Sequence, residues 1–297
     1  MVAPIKEMNW LIIGGNGQLG HAMKNHLNNI GCNFTVLSHQ QLDILDRAKF
    51  QKYLDIIKPS VVVNCAAWTD VDLAESKESL AYLVNAVGPG MLAEEVAKTG
   101  ARFIHLSTDY VFSGNTTTAW KEDAVTTPIS AYGRTKAEGE KLVLNAYPDG
   151  AYIIRTSWLY SPWGKNFVKT VSKVALFESR KIEVVNDQIG QPTSATELAA
   201  QIFQLVLKSL SPGIYHFTNS GKATWFELAR EIFRVCDQDS DRVVPIDSDR
   251  LSRPALRPRF SVLDNQFSKT QDLTSMQTWD IALRSALPSI IQTLNSE

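Results

Sequence analysis

The sequence predicts an α/β fold: a doubly wound parallel sheet covered by helices on both faces, followed by a smaller C-terminal lobe. Two patterns carry that expectation. In the first half, short β-branched runs alternate with longer segments of helical period, and after Ser157 the alternation loosens. Size agrees, since 297 residues at roughly 150 per domain give about two domains, or one α/β domain with an appended lobe.

Five runs read as strands, at 10–13, 34–37, 61–64, 103–107 and 152–156. Helical periodicity covers 18–30, 47–57, 79–98 and 132–146 between them, the last stopped by Pro148 and Gly150. Right-handed crossovers wind these pieces into one sheet. Beyond Ser157 the pattern predicts a helix over 167–177, a short run at 182–185, a helix over 196–207, a run at 214–217 and a helix over 225–235, which together resemble a small lobe. The stretch 245–259 holds three of the twelve prolines and four arginines, so an ordered but irregular loop is expected there. A last helix is expected over 279–294, kinked or restarted at Pro288, because proline lacks the N–H that a helix interior uses.

Composition narrows the function. With 44% hydrophobic and 21% charged residues, disordered, collagen-like and coiled-coil readings drop out. Thirty Lys+Arg against 31 Asp+Glu leave a formal charge of −1 and no basic stripe, so no nucleic-acid partner is expected. Cys32, Cys65 and Cys236 are too few and too scattered for a disulfide framework or a structural zinc site, which points to a reducing compartment, the cytoplasm. Residues 1–9 contain Lys6 and Glu7 and no apolar run, so no signal peptide is expected; no uncharged apolar run approaches the length of about 18 needed to span a membrane.

The first strand ends at Ile13 and is followed by Gly14, Gly15, Gly17 and Gly20 at the mouth of an amphipathic helix. Read from Gly15 this is G-x-G-x-x-G, and read from Gly14 it is G-x-x-G-x-x-G. Either spacing gives a turn without Cβ atoms in which backbone N–H groups and a helix N-terminus can meet a pyrophosphate. A purely structural glycine turn has the same letters, but the strand before it and the helix after it favour a dinucleotide site. Such sites usually place an acidic residue at the end of the second strand to bind the ribose 2′-hydroxyl. Here that position reads Ser38, His39, Gln40, so NADPH is tolerated and NADH is not excluded. His39 is equally readable as a solvated loop residue. Asp43 is placed either to meet adenine or, like Asp46, to cap a helix.

Tyr132 and Lys136 lie four residues apart, on one helical face. A free tyrosine has a pKa of about 10, and a cation one turn away is expected to lower it toward neutrality. By itself the pair is also an ordinary exposed helix pair. The segment Ser107-Thr108-Asp109-Tyr110-Val111-Phe112 ends the fourth strand, where ligands of such sheets sit, and offers Thr108 as the hydroxyl for a substrate carbonyl, although loop capping explains Thr108 and Asp109 equally well. Glycine loop, strand-end hydroxyl and Tyr/Lys helix occur in the order that a nucleotide-dependent reductase requires.

With those motifs the chain resembles the extended short-chain dehydrogenase/reductases and, within them, the dTDP-4-dehydrorhamnose reductase family. The supporting segments run almost end to end: 14–20, 63–69 with 71–75, 107–112, 132–136 with 139–141, 155–158, Asn166-Phe167, 186–188 with Gly190 and Pro192-Thr193, 213–216, and Arg257-Pro258. The resemblance implies a Rossmann dinucleotide-binding domain over 1–157 and a region 158–297 that is mainly substrate lobe, with segments returning to the first domain. It implies Thr108, Tyr132 and Lys136 as the catalytic trio. Gly14, Gly17, Gln18, Leu19, Asp43, Ile44, Ala66, Ala67 and Lys136 would hold NADPH or NADH, and Thr69, Val71, Trp158 and Asn166 would face a dTDP-4-keto-6-deoxyhexose. Ala66 and Ala67 are small enough to let backbone approach a cofactor, whereas Trp158 is equally suited to filling a core. Arg253 and Arg257 are read either as diphosphate contacts or as solvated.

The implied reaction is reduction of the 4-keto group of dTDP-6-deoxy-L-lyxo-4-hexulose to dTDP-L-rhamnose. Two rivals share the motifs: a reductase of another 4-keto-6-deoxy sugar nucleotide, and a non-catalytic dinucleotide-binding subunit like the methionine adenosyltransferase beta subunit. Trp158, Asn166 and 186–188 favour the reductase pattern. Some members of the family form a dimer bridged by magnesium through three glutamates, and the matching positions here are Ala22, Thr196 and Ser289, with Glu197 offset by one residue. The expectation is therefore no metal, and a monomer or a metal-independent dimer.

Overall fold

The computed structural model describes residues 8–265, 270 and 273–296. Its centre is a sheet of six parallel strands: β1 (Asn9–Ile13), β2 (Asn33–Leu37), β3 (Val61–Asn64), β4 (Arg102–Thr108), β5 (Ala151–Thr156) and β10 (Gly213–His216), in the order β10-β5-β4-β3-β1-β2. Sequence reading found the first five as strands of this sheet. It placed the run at 214–217 in the small lobe, whereas here Ile214 pairs with Ile153 and Tyr215 with Ile154, so the strand closes the free edge of β5.

Strand alternation builds the core on both faces. On one side Trp10, Ile12, Val61, Val63, Ile104 and Ile154 pack against α1 (Gln18–Asn29) and α8 (Ala195–Leu207). On the other, Leu11, Ile13, Val62, Phe103 and Ile153 pack with side chains of α2 (Arg47–Ile57), α5 (Gly88–Ala97) and α6 (Ala131–Ala146). Successive strand residues point to opposite faces, so every apolar residue of a central strand finds a layer. Helix α8, expected in the lobe, thus covers the main sheet through Leu198, Ile202 and Leu205.

The helix expected over 79–98 is three pieces, α4 (Glu78–Tyr82), a π-helical turn Leu83–Val87 and α5, and it is preceded by α3 (Val71–Ser76). The second core holds side chains of α7 (Phe167–Phe177), α9 (Trp225–Val235) and α10 (Trp279–Leu294) around Tyr160, Val184 and Val243. Between the two cores lie the short strands β6 (Leu159–Tyr160), which pairs with β9 (Thr193–Ser194), and β8 (Ile189–Gly190), which pairs with β11 (Ala223–Thr224). Of the stretch 245–259, only its first two residues are strand: β12 (Val243–Ile246) pairs in parallel with β7 (Ile182–Val185), where a two-stranded sheet tolerates Pro245, and beyond a 3-10 turn at Ser248–Arg250 the chain is the irregular loop expected. Helix α10 runs through Pro288 without restarting; Leu287 and Ile290 are anchored in the core on either side of it. All three cysteines are free thiols.

β1 is flanked by β2 on one side and β3 on the other, so the chain reverses its winding between β2 and β3. The crevice at the carboxyl ends of β1 and β3 is where such a sheet receives a ligand.

Candidate active site

A cleft of about 610 Å³ opens at that crevice and extends toward the second core. Its near end is made of backbone. Gly14 has φ +80°, and a Cβ there would lie 2.6 Å from the Ala66 nitrogen, so glycine is required for the β1 and β3 ends to meet. Gly17 is the N-cap of α1 and brings no side-chain cap, and the first turn of the helix contains no acidic residue. The Gly17, Gln18 and Leu19 backbone therefore faces the cleft at an uncapped, electropositive helix end that fits a pyrophosphate.

The far end is made of side chains. Thr108 is the last residue of β4, and a 3-10 turn follows at Asp109–Val111, where the Thr108 hydroxyl accepts from the Tyr110 N–H at 3.2 Å. Capping and a functional hydroxyl thus coexist at Thr108. Helix α6 starts behind Ser130, whose hydroxyl accepts from the Gly133 N–H. A Cβ on Gly133 would lie 2.2 Å from the Tyr110 carbonyl oxygen, so this glycine lets the first turn of α6 seat against the 3-10 turn. Tyr132 is thereby brought beside Thr108 on the wall of the cleft.

The charge balance at Tyr132 corrects the sequence expectation. Burial pushes the phenol up to about 12, outweighing the opposing influence of the Thr108 hydroxyl, and the nearby Asp109 raises it further. Lys136 does not lower it: the ammonium is buried, donates to the Leu106 carbonyl and contacts His105 Nε2 at 3.3 Å. Desolvation pulls Lys136 down to about 8 against the pull of Glu140, and holds His105 neutral, well below its ordinary value. The Tyr/Lys pair is a loaded proton donor beside a weakened cation.

Of the residues expected at the site, Gly17, Gln18, Leu19, Ala67, Thr69, Val71, Thr108, Tyr132, Lys136, Trp158 and Asn166 line the cleft. Gly14 and Ala66 lie behind its wall, against each other. Ile44 is buried, and Asp43 is exposed with its carboxylate accepting from the Leu45 N–H at 3.0 Å, so neither reaches the cleft and Asp43 is occupied as a turn cap. Trp158 is no ordinary core filler: it has φ +46°, its ring stacks on Trp225 at 3.5 Å and 7°, and only a glycine at 190 leaves room for it. Asn166 caps α7 through the Lys169 N–H at 2.9 Å and donates to Gln18 Oε1 at 3.0 Å, tying the α7 end to the glycine-loop helix. Arg257 forms a two-pronged pair with Asp72 at 2.6 Å, and Arg253 is exposed nearby.

Sequence reading missed Asn85. Buried in the π-helical turn, it accepts from the Trp68 N–H at 2.9 Å and donates to the Trp68 carbonyl at 3.1 Å and to Thr135 Oγ1 at 3.1 Å. It clamps the segment that carries Ala67 and Thr69 to the helix that carries Tyr132. Trp225, which stacks on Trp158, was read only as a helix start.

A pyrophosphate seat at the sheet's switch point, facing a strand-end threonine and a Tyr/Lys helix, defines a nucleotide-dependent oxidoreductase of the extended short-chain dehydrogenase/reductase class. The comparisons are narrower. A family model described as the RmlD substrate binding domain matches residues 8–292. The chain is 42% identical over 293 residues to a dTDP-4-dehydrorhamnose reductase of Streptomyces griseus, covering 97% of this chain and 96% of that one. It is also 42% identical over 279 residues to a dTDP-4-keto-6-deoxy-D-glucose reductase of Streptomyces niveus, covering 94% and 96%. A dTDP-4-dehydrorhamnose reductase of Bacillus anthracis, solved with NADP, superposes with a TM-score of 0.91 at 34% identity, covering 95% of this chain and 99% of that one. The chain belongs to the RmlD family, as the sequence resemblance had implied.

Proposed function

We propose that this chain reduces the 4-keto group of dTDP-6-deoxy-L-lyxo-4-hexulose to give dTDP-L-rhamnose, with NADPH as reductant and NADH as a permitted substitute. The observation that carries the reading is the joining, in one cleft, of an uncapped helix N-terminus with Thr108, Tyr132 and Lys136, in a chain 42% identical to a dTDP-4-dehydrorhamnose reductase.

NADPH, held with its pyrophosphate at the α1 N-terminus, would supply the hydride. The chain does the rest. Gly14 and Ala66 shape the backbone floor, Gly17, Gln18, Leu19 and Ala67 border the pyrophosphate path, and Lys136 reaches the ribose side of the cleft; Asp43 and Ile44 are left to the rim beyond it. Thr108 orients the sugar carbonyl by hydrogen bonding, and Tyr132 passes its phenolic proton to the oxygen at carbon 4. The raised pKa keeps the phenol protonated at neutral pH, and an alkoxide is a stronger base than a phenolate, so the transfer runs downhill. Thr69, Val71 and Trp158 border the sugar, while Asn166 fixes Gln18 and through it the mouth of the cleft.

The equal identity to a dTDP-4-keto-6-deoxy-D-glucose reductase favours one second reading, reduction of a different 4-keto sugar nucleotide. Incubation with each 4-keto substrate and NADPH, followed by NMR of the product, separates the two. A product with the L-rhamno configuration supports the first reading, and turnover of the other substrate alone overturns it.

The chain is further proposed to work in the cytoplasm as a monomer or metal-independent dimer. No helix among the described residues is long and apolar enough to cross a membrane. Ala22 points into the main core, Thr196 and Ser289 are neutral, and Glu197 is engaged by Asn219 at 2.6 Å. Light scattering with and without a chelator tests this: an oligomer that dissociates on chelation contradicts it.

A further inference from the structure

Next to Lys136 runs a buried polar chain that the reaction above leaves unused. Asn64, the last residue of β3, stands in register with His105 in the middle of β4; both are buried, and Phe103 stacks on the imidazole at 6.5 Å and 7°. The chain begins at the backbone. The Ala66 N–H donates to Asn64 Oδ1 at 3.1 Å, which fixes the amide with its NH2 group toward His105; turned over, the amide would set that group against the Ala66 N–H. Asn64 Nδ2 lies 3.1 Å from His105 Nδ1, so Nδ1 accepts. A neutral imidazole carries a single proton, which therefore sits on Nε2, 3.3 Å from Lys136 Nζ.

An ammonium has three donors and no lone pair, whereas an amine can accept. Lys136 keeps its donation to the Leu106 carbonyl in either form, but only the amine also takes the His105 N–H. We infer that His105 is the positioning residue of Lys136: its Nε2–H, aimed by Asn64, is donated to the lysine nitrogen and favours the amine, so that entry of the anionic nucleotide draws a proton onto Lys136. That proton comes from solvent, one N–H bond forms at Nζ, and no electrons are transferred. Burial acts in the same direction, holding Lys136 at about 8. Among the described residues no other titratable group pairs with Nζ. Glu140, one turn further along α6, opposes the effect of burial, but its carboxylate is held by Arg155 at 2.7 and 2.9 Å and by the Ser107 hydroxyl. Tyr132 on the same helix and Cys65 just past β3 line the cleft with their protons on, each pushed up by burial to about 12, and Asp109 lies beyond Thr108. His105 touches no reacting atom; it acts through Lys136.

The inference rests on the reductase reading only in taking Lys136 as a cofactor contact, and its test separates the two. Nitrogen NMR of the unmodified chain, labelled at histidine and free of nucleotide, should show the His105 proton on Nε2; a proton on Nδ1 overturns the inference. The His105→Gln variant replaces the ring by an amide free to turn its oxygen toward Lys136. The Lys136 titration, followed by NMR of labelled lysine, should then move up by about one pH unit, and an unmoved midpoint overturns the inference. Calorimetry of NADPH binding at about pH 8.5, in two buffers of different protonation heat, should show uptake of more than about half a proton per nucleotide in the unmodified chain, and at least about twofold less in the variant. No uptake in the unmodified chain, or the same uptake in both, overturns the coupling. Should the variant not fold, the histidine spectrum and the calorimetry of the unmodified chain decide by themselves. A chain that binds NADPH with that proton yet reduces no 4-keto sugar nucleotide removes the reductase reading and leaves the role of His105 standing.

Discussion

The two ends of the cleft are built on opposite principles. The glycine-loop end presents backbone, with side chains excluded to within 2.6 Å of contact at Gly14, and its selectivity is steric and dipolar. The Thr108–Tyr132–Lys136 end presents side chains, and the proton affinities of Tyr132 and Lys136 are displaced by desolvation. Damage at the first end should therefore read out as lost binding and lost stability, and damage at the second as lost turnover.

The sharpest break of that contrast is Tyr132→Phe. It removes the phenolic proton and leaves the glycine loop untouched, so kcat should fall by about 10² to 10⁴, the range for losing a general acid, while NADPH affinity by fluorescence titration stays within about twofold. Near-normal turnover would show that another group protonates the product. The converse change, Gly14→Ala, forces a Cβ toward the Ala66 backbone at φ +80°. It should destabilise the fold by about 1–3 kcal/mol in denaturant melts and weaken NADPH binding about tenfold. If binding and stability are both retained, the loop has more slack than its geometry states.

How far the sequence reaches follows the same division. Backbone devices are legible: glycine spacing, strand and helix alternation, and Ser, Asp or Asn caps act over a few residues, so β1 to β5 and the pyrophosphate seat emerge from local pattern. Where local pattern is shared by several tertiary outcomes, it fails. The run at 214–217 has the same letters whether it pairs in a lobe or beside β5, and only packing decides. The π-helical turn at Leu83–Val87 differs from an α-helix by less than one residue per turn, too little to detect over five positions, yet it places Asn85 on Trp68. Pro245 was read as a loop signal although a two-stranded edge accommodates it. The Tyr132 titration failed differently: spacing shows a cation one turn away, but not that the phenol is desolvated and that the ammonium is turned to Leu106 and His105 instead.

Lys136 sharpens the comparison through pH. Its native pKa, about 8, lies below its ordinary 10.5 because the ammonium is desolvated. Below pH 8 the lysine is protonated in both folded and unfolded states, and the fold carries the full desolvation penalty. Between 8 and 10.5 the native state sheds the proton first, so the penalty fades and this residue's contribution to stability rises with pH. Melting temperatures of the unmodified chain and of Lys136→Met, taken from pH 7 to 10, should shift in favour of the unmodified chain as pH increases. A constant difference across that range would mean that the lysine is not desolvated.

The smallest expected effect lies where the backbone end meets solvent, at the ribose of the adenosine half. Beyond β2, Ser38 is half-buried with its N–H donating to Gln41 Oε1 at 2.9 Å, His39 is exposed, and neither carries a negative charge. Asp43, the first carboxylate along the chain after β2, is spent on the Leu45 N–H. With no carboxylate to bind a 2′-hydroxyl or repel a 2′-phosphate, kcat/KM with NADPH should equal or exceed that with NADH, by no more than about tenfold. His39→Asp supplies the missing charge at the strand end and should turn the ratio toward NADH, while kcat with saturating cofactor, set at the other end of the cleft, stays where it was. A tenfold NADH preference in the unmodified chain would place a carboxylate at the ribose after all, and Asp43 would then have to leave its turn to reach it.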